Sequence, residues 1–264
     1  MRNRQRPYRS AWRALLIGAA GGLVASAALA AAAPASVPIT DTGFRDRRVP
    51  ASTPNLSGIW TRADDGISFR DVLPTDGTPV PFLPWSKAIY EQRTAAEKAG
   101  RPMFDPTAAC IPSGVPRVFN SNYPIEIVQT PEVTMILYES QHNIRTVHMN
   151  AVHPARPKPS YMGHSTGRWE GDTLVIDTIG LVPHTLIDEG GTIHSDALHV
   201  VERWRRLDDK TMENRFTIDD PNTFAKPWTA RRLFTWTPDV RTLEYVCEEN
   251  NRNAPDENGE VTAK

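Results

Sequence analysis

The sequence predicts a mainly β protein, an antiparallel meander closing into a barrel or folding as two packed sheets, with a helix-bearing N-terminal segment ahead of it. Three observations carry this expectation. After Asn120 the chain divides into runs of strand length, rich in β-branched and aromatic residues and separated by turn chemistry. With 23 Pro and 16 Gly the chain is turn-rich, which suits many short strands better than a helical bundle. At 264 residues, 39% hydrophobic and 23% charged, it is long enough to bury a sizeable core.

The elements follow in order. "MRNRQRPYRSAWR" carries Arg2, Arg4, Arg6, Arg9 and Arg13 and no acid, and the uncharged "ALLIGAAGGLVASAALAAAA" comes next. These are the n-region and h-region of a secretory signal. Small residues in "ALAAAAPAS" supply a cleavage site between Ala30 and Ala35, so residues 1–33 read as a signal peptide. The mature chain is then periplasmic or secreted, with no stable membrane anchor. The apolar run is about long enough to span a bilayer; its Ala-rich composition and Gly21-Gly22 weigh against an anchor. No Arg pair adjoins it and no Cys follows it, so neither a twin-arginine signal nor a lipoprotein is expected. Residues 34–54 are a Pro-, Ser- and Thr-rich arm, and 55–264 read as a single β-barrel-like domain.

Within that domain "NLSGIW" opens the first strand. "WSKAIYEQRTAAEKA" at 85–99 is the one convincing helix, with Gly100-Arg101-Pro102 as its stop. "YPIEIVQT", "EVTMILYE", "HNIRTVHMN", "SYMGHSTGRWE", "TLVIDTIGL", "ALHVVERWRRL", "MENRFTID", "WTARRLFTW" and "TLEYVCEE" read as consecutive strands. Consecutive strands with short connections pair as neighbours. Nine or ten of them are enough to close a barrel. Cys110 and Cys247 are the only cysteines. In an exported protein two cysteines usually form one disulfide, the alternative being two separate buried thiols.

"SGIW" followed by a meander is similar to the lipocalin-like (calycin) barrels, whose first strand carries a Gly-x-Trp element. More broadly, "CIPSGVPR", "YPIEIVQTP", "GHSTGRWEGDTLVIDT", "HSDALHVVERWRR", "IDDPNTFAKPWT" and "EYVCEENN" resemble the blocks of a large group of uncharacterised exported bacterial proteins. The resemblance spans roughly Trp85 to Asn251 and supports export and the disulfide. It implies no activity.

"GHSTG" at 163–167 matches the G-x-S-x-G pattern of a serine nucleophile. Such an elbow needs a helix after the serine, and "RWEGDTLVIDT" has no helical period. Gly171-Asp172 instead fits a two-residue hairpin loop, which pairs Glu170 with Thr173, Trp169 with Leu174, Thr166 with Asp177 and Ser165 with Thr178. Strand alternation then places Ser165 with Gly167, Trp169, Leu174 and Ile176 on one face, and His164 with Thr166, Arg168, Val175 and Asp177 on the other. A triad of Ser165 with His164 or Asp177 is excluded within this hairpin. His164 and Asp177 become diagonal neighbours, either as an acid-base unit in which the carboxylate orients the imidazole or as a structural hydrogen bond.

Alternation also sets Glu202 on a face with Leu198, Val200 and Trp204, and Asp177 between Val175 and Ile179, so both carboxylates are expected to face inward. A buried carboxylate must be paired or protonated; Arg145, Arg203, Arg231 or a histidine are the candidate partners of Glu202 and Asp177. His142 and His148 share a strand face but stand about 20 Å apart, too far to hold one ion. No metal-ligand spacing occurs, so any metal must be assembled across strands, and none is expected. The connection "HTLIDEGGTIHS" places His184, Asp188 and His194 near a barrel mouth.

No phosphate-cradling loop appears, so no dinucleotide cofactor is expected. A net charge of -1 argues against nucleic acid or an anionic membrane surface as partner. The expected function is cofactor-free acid-base chemistry, of lyase, isomerase or hydratase type, on a small apolar or aromatic molecule. His164, Asp177 and Glu202 are its candidate catalytic residues, and Arg145, His148, His142 and His194 its candidate substrate contacts. The alternative is a non-catalytic periplasmic ligand-binding or carrier protein; the oligomeric state is left open.

Overall fold

The computed structural model describes residues 51–63, 66–247 and 249. The signal-peptide expectation and the arm up to residue 50 lie outside the described residues. Among those described, nine strands run β1 (Gly58–Arg62), β2 (Ile125–Gln129), β3 (Val133–Tyr138), β4 (Asn143–Met149), β5 (His164–Glu170), β6 (Thr173–Ile179), β7 (His199–Arg206), β8 (Thr211–Asp219) and β9 (Trp228–Trp236). They pair in chain order and close into a barrel through β1 and β9. One α-helix, α1 (Pro84–Lys98), begins with Pro at its first position, where the missing N–H costs nothing. The fold class expected from the sequence is the one observed, and no helix among the described residues is long and apolar enough to cross a membrane.

Two elements differ from expectation. β4 and β5 pair in parallel, Val147 beside Ser165 and His148 beside Thr166, where an antiparallel meander was expected. The connection at 150–163 carries Pro154, Pro157 and Pro159. It cannot make a tight hairpin, and it has the dozen or so residues that a parallel crossover requires. "TLEYVCEE" is not a strand: residues 241–246 have no regular structure. β9 already pairs with β1, so closure leaves no free edge for another strand. This tail is fixed instead by the Cys110–Cys247 disulfide, with Cα atoms 5.7 Å apart. Leu243 N also donates to Glu139 Oε2, and Tyr245 N to His142 Nε2, each at 2.8 Å.

The core sits inside the barrel because alternate residues on every strand point inward. Val200 and Trp204 on β7, Met212, Phe216 and Ile218 on β8, and Ala230 and Phe234 on β9 are all buried. β1 ends, and β2 begins, at the same end of the barrel, so the long connection 63–124 must cap that end. It enters as well as covers. Phe119 is 1% exposed and meets Trp204 and Phe216 edge-on, with ring centroids 6.2 and 5.1 Å apart. Arg232 on β9 reaches into this cap, donating to Asn120 Oδ1 at 2.6 Å and to the Asp71 carbonyl at 2.9 Å. α1 lies over the β8–β9 connection, where Ser86 Oγ donates to the Thr223 carbonyl at 2.6 Å and Trp85 Nε1 to that of Asn222 at 3.0 Å. This end of the barrel is thus plugged by the chain's own aromatic and apolar side chains.

Candidate functional site

The hairpin register deduced from "GHSTGRWEGDTLVIDT" is the register observed, from His164 opposite Ile179 to Glu170 opposite Thr173. It decides which side of the wall each side chain occupies. Ser165 is inside and 1% exposed; its Oγ accepts from Arg145 Nε at 3.0 Å and meets Thr178 Oγ1 at 3.0 Å. The two glycines of the motif have packing reasons. Gly163 has φ +65°, and a Cβ there would meet Thr178 Cγ2 at 2.7 Å and the Ile179 carbonyl at 2.8 Å; at Gly167 it would meet Val147 Cγ1 at 2.7 Å. Only Gly accepts both the left-handed backbone and the close approach. Fluorophosphonate probes are therefore expected to leave the pure protein unlabelled; stoichiometric labelling of Ser165, read by mass spectrometry, would refute this placement.

On the outer face a different set assembles. His148 on β4, His164 on β5, Asp177 on β6 and His199 at the start of β7 come from four adjacent strands, and His153 from the 150–163 crossover joins them. His153 precedes Pro154, which favours an extended backbone at that position. The crossover is tied down by Asn150 N donating to the Gly167 carbonyl at 2.6 Å and Ser160 N to that of Gly180 at 3.0 Å. His153 is thereby laid over the β5–β6 pair. Its Nε2 is 2.9 Å from Asp177 Oδ1 and its Nδ1 2.8 Å from His164 Nδ1. His199 Nε2 reaches the same Asp177 Oδ1 at 2.9 Å, and the His148 and His164 rings stack at 5.3 Å. His164 and Asp177 are brought together as expected of diagonal neighbours, with His153 inserted between them.

Proton positions follow from donor logic. A carboxylate only accepts, so His153 and His199 each carry a proton on Nε2. Nδ1 of a neutral His153 then accepts from Nδ1–H of His164, which leaves His164 Nε2 as a lone pair with no partner among the described residues. Burial, and then the neighbouring His153 and His148, push the His164 pKa down, so the ring stays a neutral base. The hydrogen bond from His199 holds Asp177 below the usual carboxylate range against the opposing effect of burial, with His153 adding to it. The same hydrogen bond raises His199.

These shifts set a pH window. A raised His199 contributes stability fully present below its unfolded pKa of about 6.5 and lost as pH rises through its higher folded value. A depressed Asp177 contributes stability present above about 3.9 and lost as pH falls through its lower folded value. Asp177→Asn is expected to lower stability by up to about 1 kcal/mol, given solvent screening, most clearly between roughly pH 4 and 6.5. Denaturant unfolding across pH 3 to 9 measures it; a loss independent of pH would contradict the ion pair.

The other candidates lie elsewhere. Glu202 is 0% and Arg145 1% exposed, both on the inner face. Arg145 donates to Glu202 through NH1 at 3.1 Å and through NH2, and to Thr178 Oγ1 at 2.6 Å. Glu202 Oε2 further accepts from Trp204 Nε1 at 2.9 Å and Asn214 Nδ2 at 3.3 Å. Burial works to lower the Arg145 pKa, but Glu202 beside it more than offsets this and leaves it raised. Of the proposed partners Arg145 is the one that meets Glu202, and both lie on the opposite face of the barrel wall from His164. His142 sits at the β3–β4 turn, accepting from Tyr245 N. His194 is buried in the β6–β7 connection between Thr185 Oγ1 at 2.8 Å and the Ser195 carbonyl at 2.9 Å. Both hold loops and neither joins the outer cluster. Asp188, also in that connection, is fixed by Val72 N, Thr192 N and Thr192 Oγ1.

His153 and His199 were not assigned a site from the sequence. His199 follows from the β6–β7 register, which sets Thr178 beside Val200, but no turn motif in 180–198 announces it. Among the described residues no three His, Cys, Asp or Glu side chains are placed to hold a metal ion together. No family model and no curated protein matches the chain, so the reading of the site rests on its geometry.

Proposed function

We propose that this protein is an exported acid-base enzyme of lyase, isomerase or hydratase type, working without a cofactor on a small, partly apolar molecule at the outer wall of the barrel. The observation that carries the reading is the hydrogen-bonded chain His164, His153, Asp177, which ends on the open Nε2 of His164. A proton taken from substrate by His164 Nε2 lets Nδ1–H pass to His153, and the cationic His153 then rests on Asp177. Returning the proton to a different atom reverses each transfer. A base oriented through a third group is the recurrent logic of proton-transfer sites, and a lowered His164 pKa keeps the base available below neutral pH. Export is supported by the N-terminal charge pattern, by resemblance to the exported bacterial group, and by a disulfide joining residues 137 apart, a bond suited to oxidising compartments.

Proton abstraction can be tested without knowing the substrate. The full chain is incubated in D2O with small aromatic and terpenoid ketones, and solvent deuterium incorporated into them is followed by NMR. Exchange is expected with at least one compound, reduced about 100-fold or more in His164→Ala, with the melting temperature nearly unchanged. An acid limb falling below about pH 6.5 is expected, since His164 is depressed. Binding without exchange would favour the carrier reading. Exchange that survives His164→Ala, or that needs added zinc and is abolished by EDTA, would overturn the assignment; a large stability loss in His164→Ala would make the cluster structural.

A further inference from the structure

Two adjoining hollows of about 280 and 220 Å3 lie outside the plug at the capped end of the barrel, sharing Arg117 and Glu189 in their walls. Together they reach the lower range of small-molecule sites, roughly 300 Å3 and upward. The larger is bounded by α1, the segment around Asp105 and the glycines of "DEGG". Three guanidinium groups, Arg70, Arg93 and Arg117, and three carboxylates, Glu97, Asp105 and Glu189, face it. Most of these are satisfied by one another. Arg117, buried, takes Asp105 in a two-point contact at 2.7 and 2.8 Å. Arg70 takes Asp71 and Glu97.

What remains is Arg93 and Glu189. Arg93 gives NH2 to the Phe104 carbonyl at 2.9 Å and meets no carboxylate in an ion pair among the described residues. Its side chain passes close to Gly191, where a Cβ would meet its Nε at 2.7 Å. One of five donors is used, so a two-point fork stands ready beside the hollow. The fixed Asp188 holds the loop, Glu189 N donates to the Arg70 carbonyl at 2.9 Å, and the Glu189 side chain borders both hollows without a hydrogen-bond partner among the described residues.

We infer that this groove is a binding site for a small organic monocarboxylate, gripped by the Arg93 fork with Glu189 beside it. The charge count selects the class. Arg117 is matched by Asp105 and Arg70 by both Asp71 and Glu97, so Arg93 is the one guanidinium at the groove without a carboxylate: its fork takes a single carboxylate, and a second charge on the ligand would meet no free cation. Burial pushes Glu189 upward, opposed by Arg117 and reinforced by Asp105 and Asp188, so protonation as pH falls removes a negative charge beside the fork. Arg93 itself is lowered by burial, with Asp105 and Asp188 acting against that and Arg117 with it. Arg70, the remaining cation at the groove, is shared between Asp71 and Glu97. The site is independent of the acid-base reading at His164.

Titration calorimetry of the full chain with sodium benzoate, sodium lactate and inorganic phosphate tests it at pH 5.5 and pH 8. At least one carboxylate is expected to bind, more tightly at pH 5.5, and more tightly than phosphate. Arg93→Gln is expected to weaken binding about tenfold or more. Arg93→Lys, which keeps the charge and loses the fork, should weaken it too. Unchanged binding in His164→Ala would separate this site from the outer cluster, and Glu189→Gln should retain binding while losing the pH dependence. The inference fails if neither carboxylate binds, if phosphate binds more tightly, if Arg93→Gln binds as the parent does, or if His164→Ala abolishes binding.

Discussion

Replacing Glu202 by Ala is expected to destabilise the protein by about 3 to 5 kcal/mol, lowering the melting temperature by roughly 6 to 20 °C. The variant leaves the Arg145 guanidinium inside the barrel with no counter-charge, and strands Trp204 Nε1 and Asn214 Nδ2 without their acceptor. A buried pair costs much to take from water, so its net worth is small, but half of a pair is expensive. The double variant Arg145→Met/Glu202→Leu, which removes both charges and fills similar volume, should therefore recover most of the loss. Paired thermal and denaturant unfolding of the single and double variants decides it. A single variant as stable as the parent, or a double no better than the single, would contradict the pair's role. Ser165 and Thr178, the neighbours of Arg145 on the inner face of β5 and β6, back the strands that carry His164 and Asp177 outside. Loosening the interior should thus reach the candidate site through the wall.

Cys110→Ser is expected to cost about 4 to 5 kcal/mol, the loop-closure value for so long a loop, because the bond spans 137 residues and encloses β2 to β9. Cys247→Ser should match it, and the double variant should add nothing, since one bond is lost in each. Dithiothreitol should bring the parent to the same midpoint. The tail carrying Leu243 and Tyr245 should then be released from Glu139 and His142 and become the earliest site of proteolysis. A cost near zero, with cleavage confined to the tail, would mean that the bond tethers only that segment.

Much of the scaffold was legible in the chain. Period-two patterning located the strands, the Gly100-Arg101-Pro102 stop ended α1, and Gly171-Asp172 fixed the register that put Ser165 and His164 on opposite faces. Harder to read were long-range pairings. The parallel seam between β4 and β5 depends on how a Pro-rich crossover returns, and the status of "TLEYVCEE" depends on whether β9 finds β1 first. The candidate site divided in the same way. Glu202 faces inward as its apolar neighbours predict, with Arg145 beside it, whereas Asp177, expected inward between Val175 and Ile179, lies on the outer face with His164 and His148, where His153 and His199 satisfy it.

By itself the sequence determined the local rules: which residues make strands, where hairpins turn, which two cysteines are available to each other, and that Ser165 cannot form an elbow. The tertiary structure alone decided what met across the barrel wall and at its end. His153 belongs to no periodic element, and the 180–198 connection is too long to transmit register to His199, so neither could be placed from pattern. The plug formed by Phe119, and the groove left beside Arg93 and Glu189, come from segments with no regular alternation. Period-two order fixes a side chain's face within a strand; which face is filled, and by what, is set by chain closure.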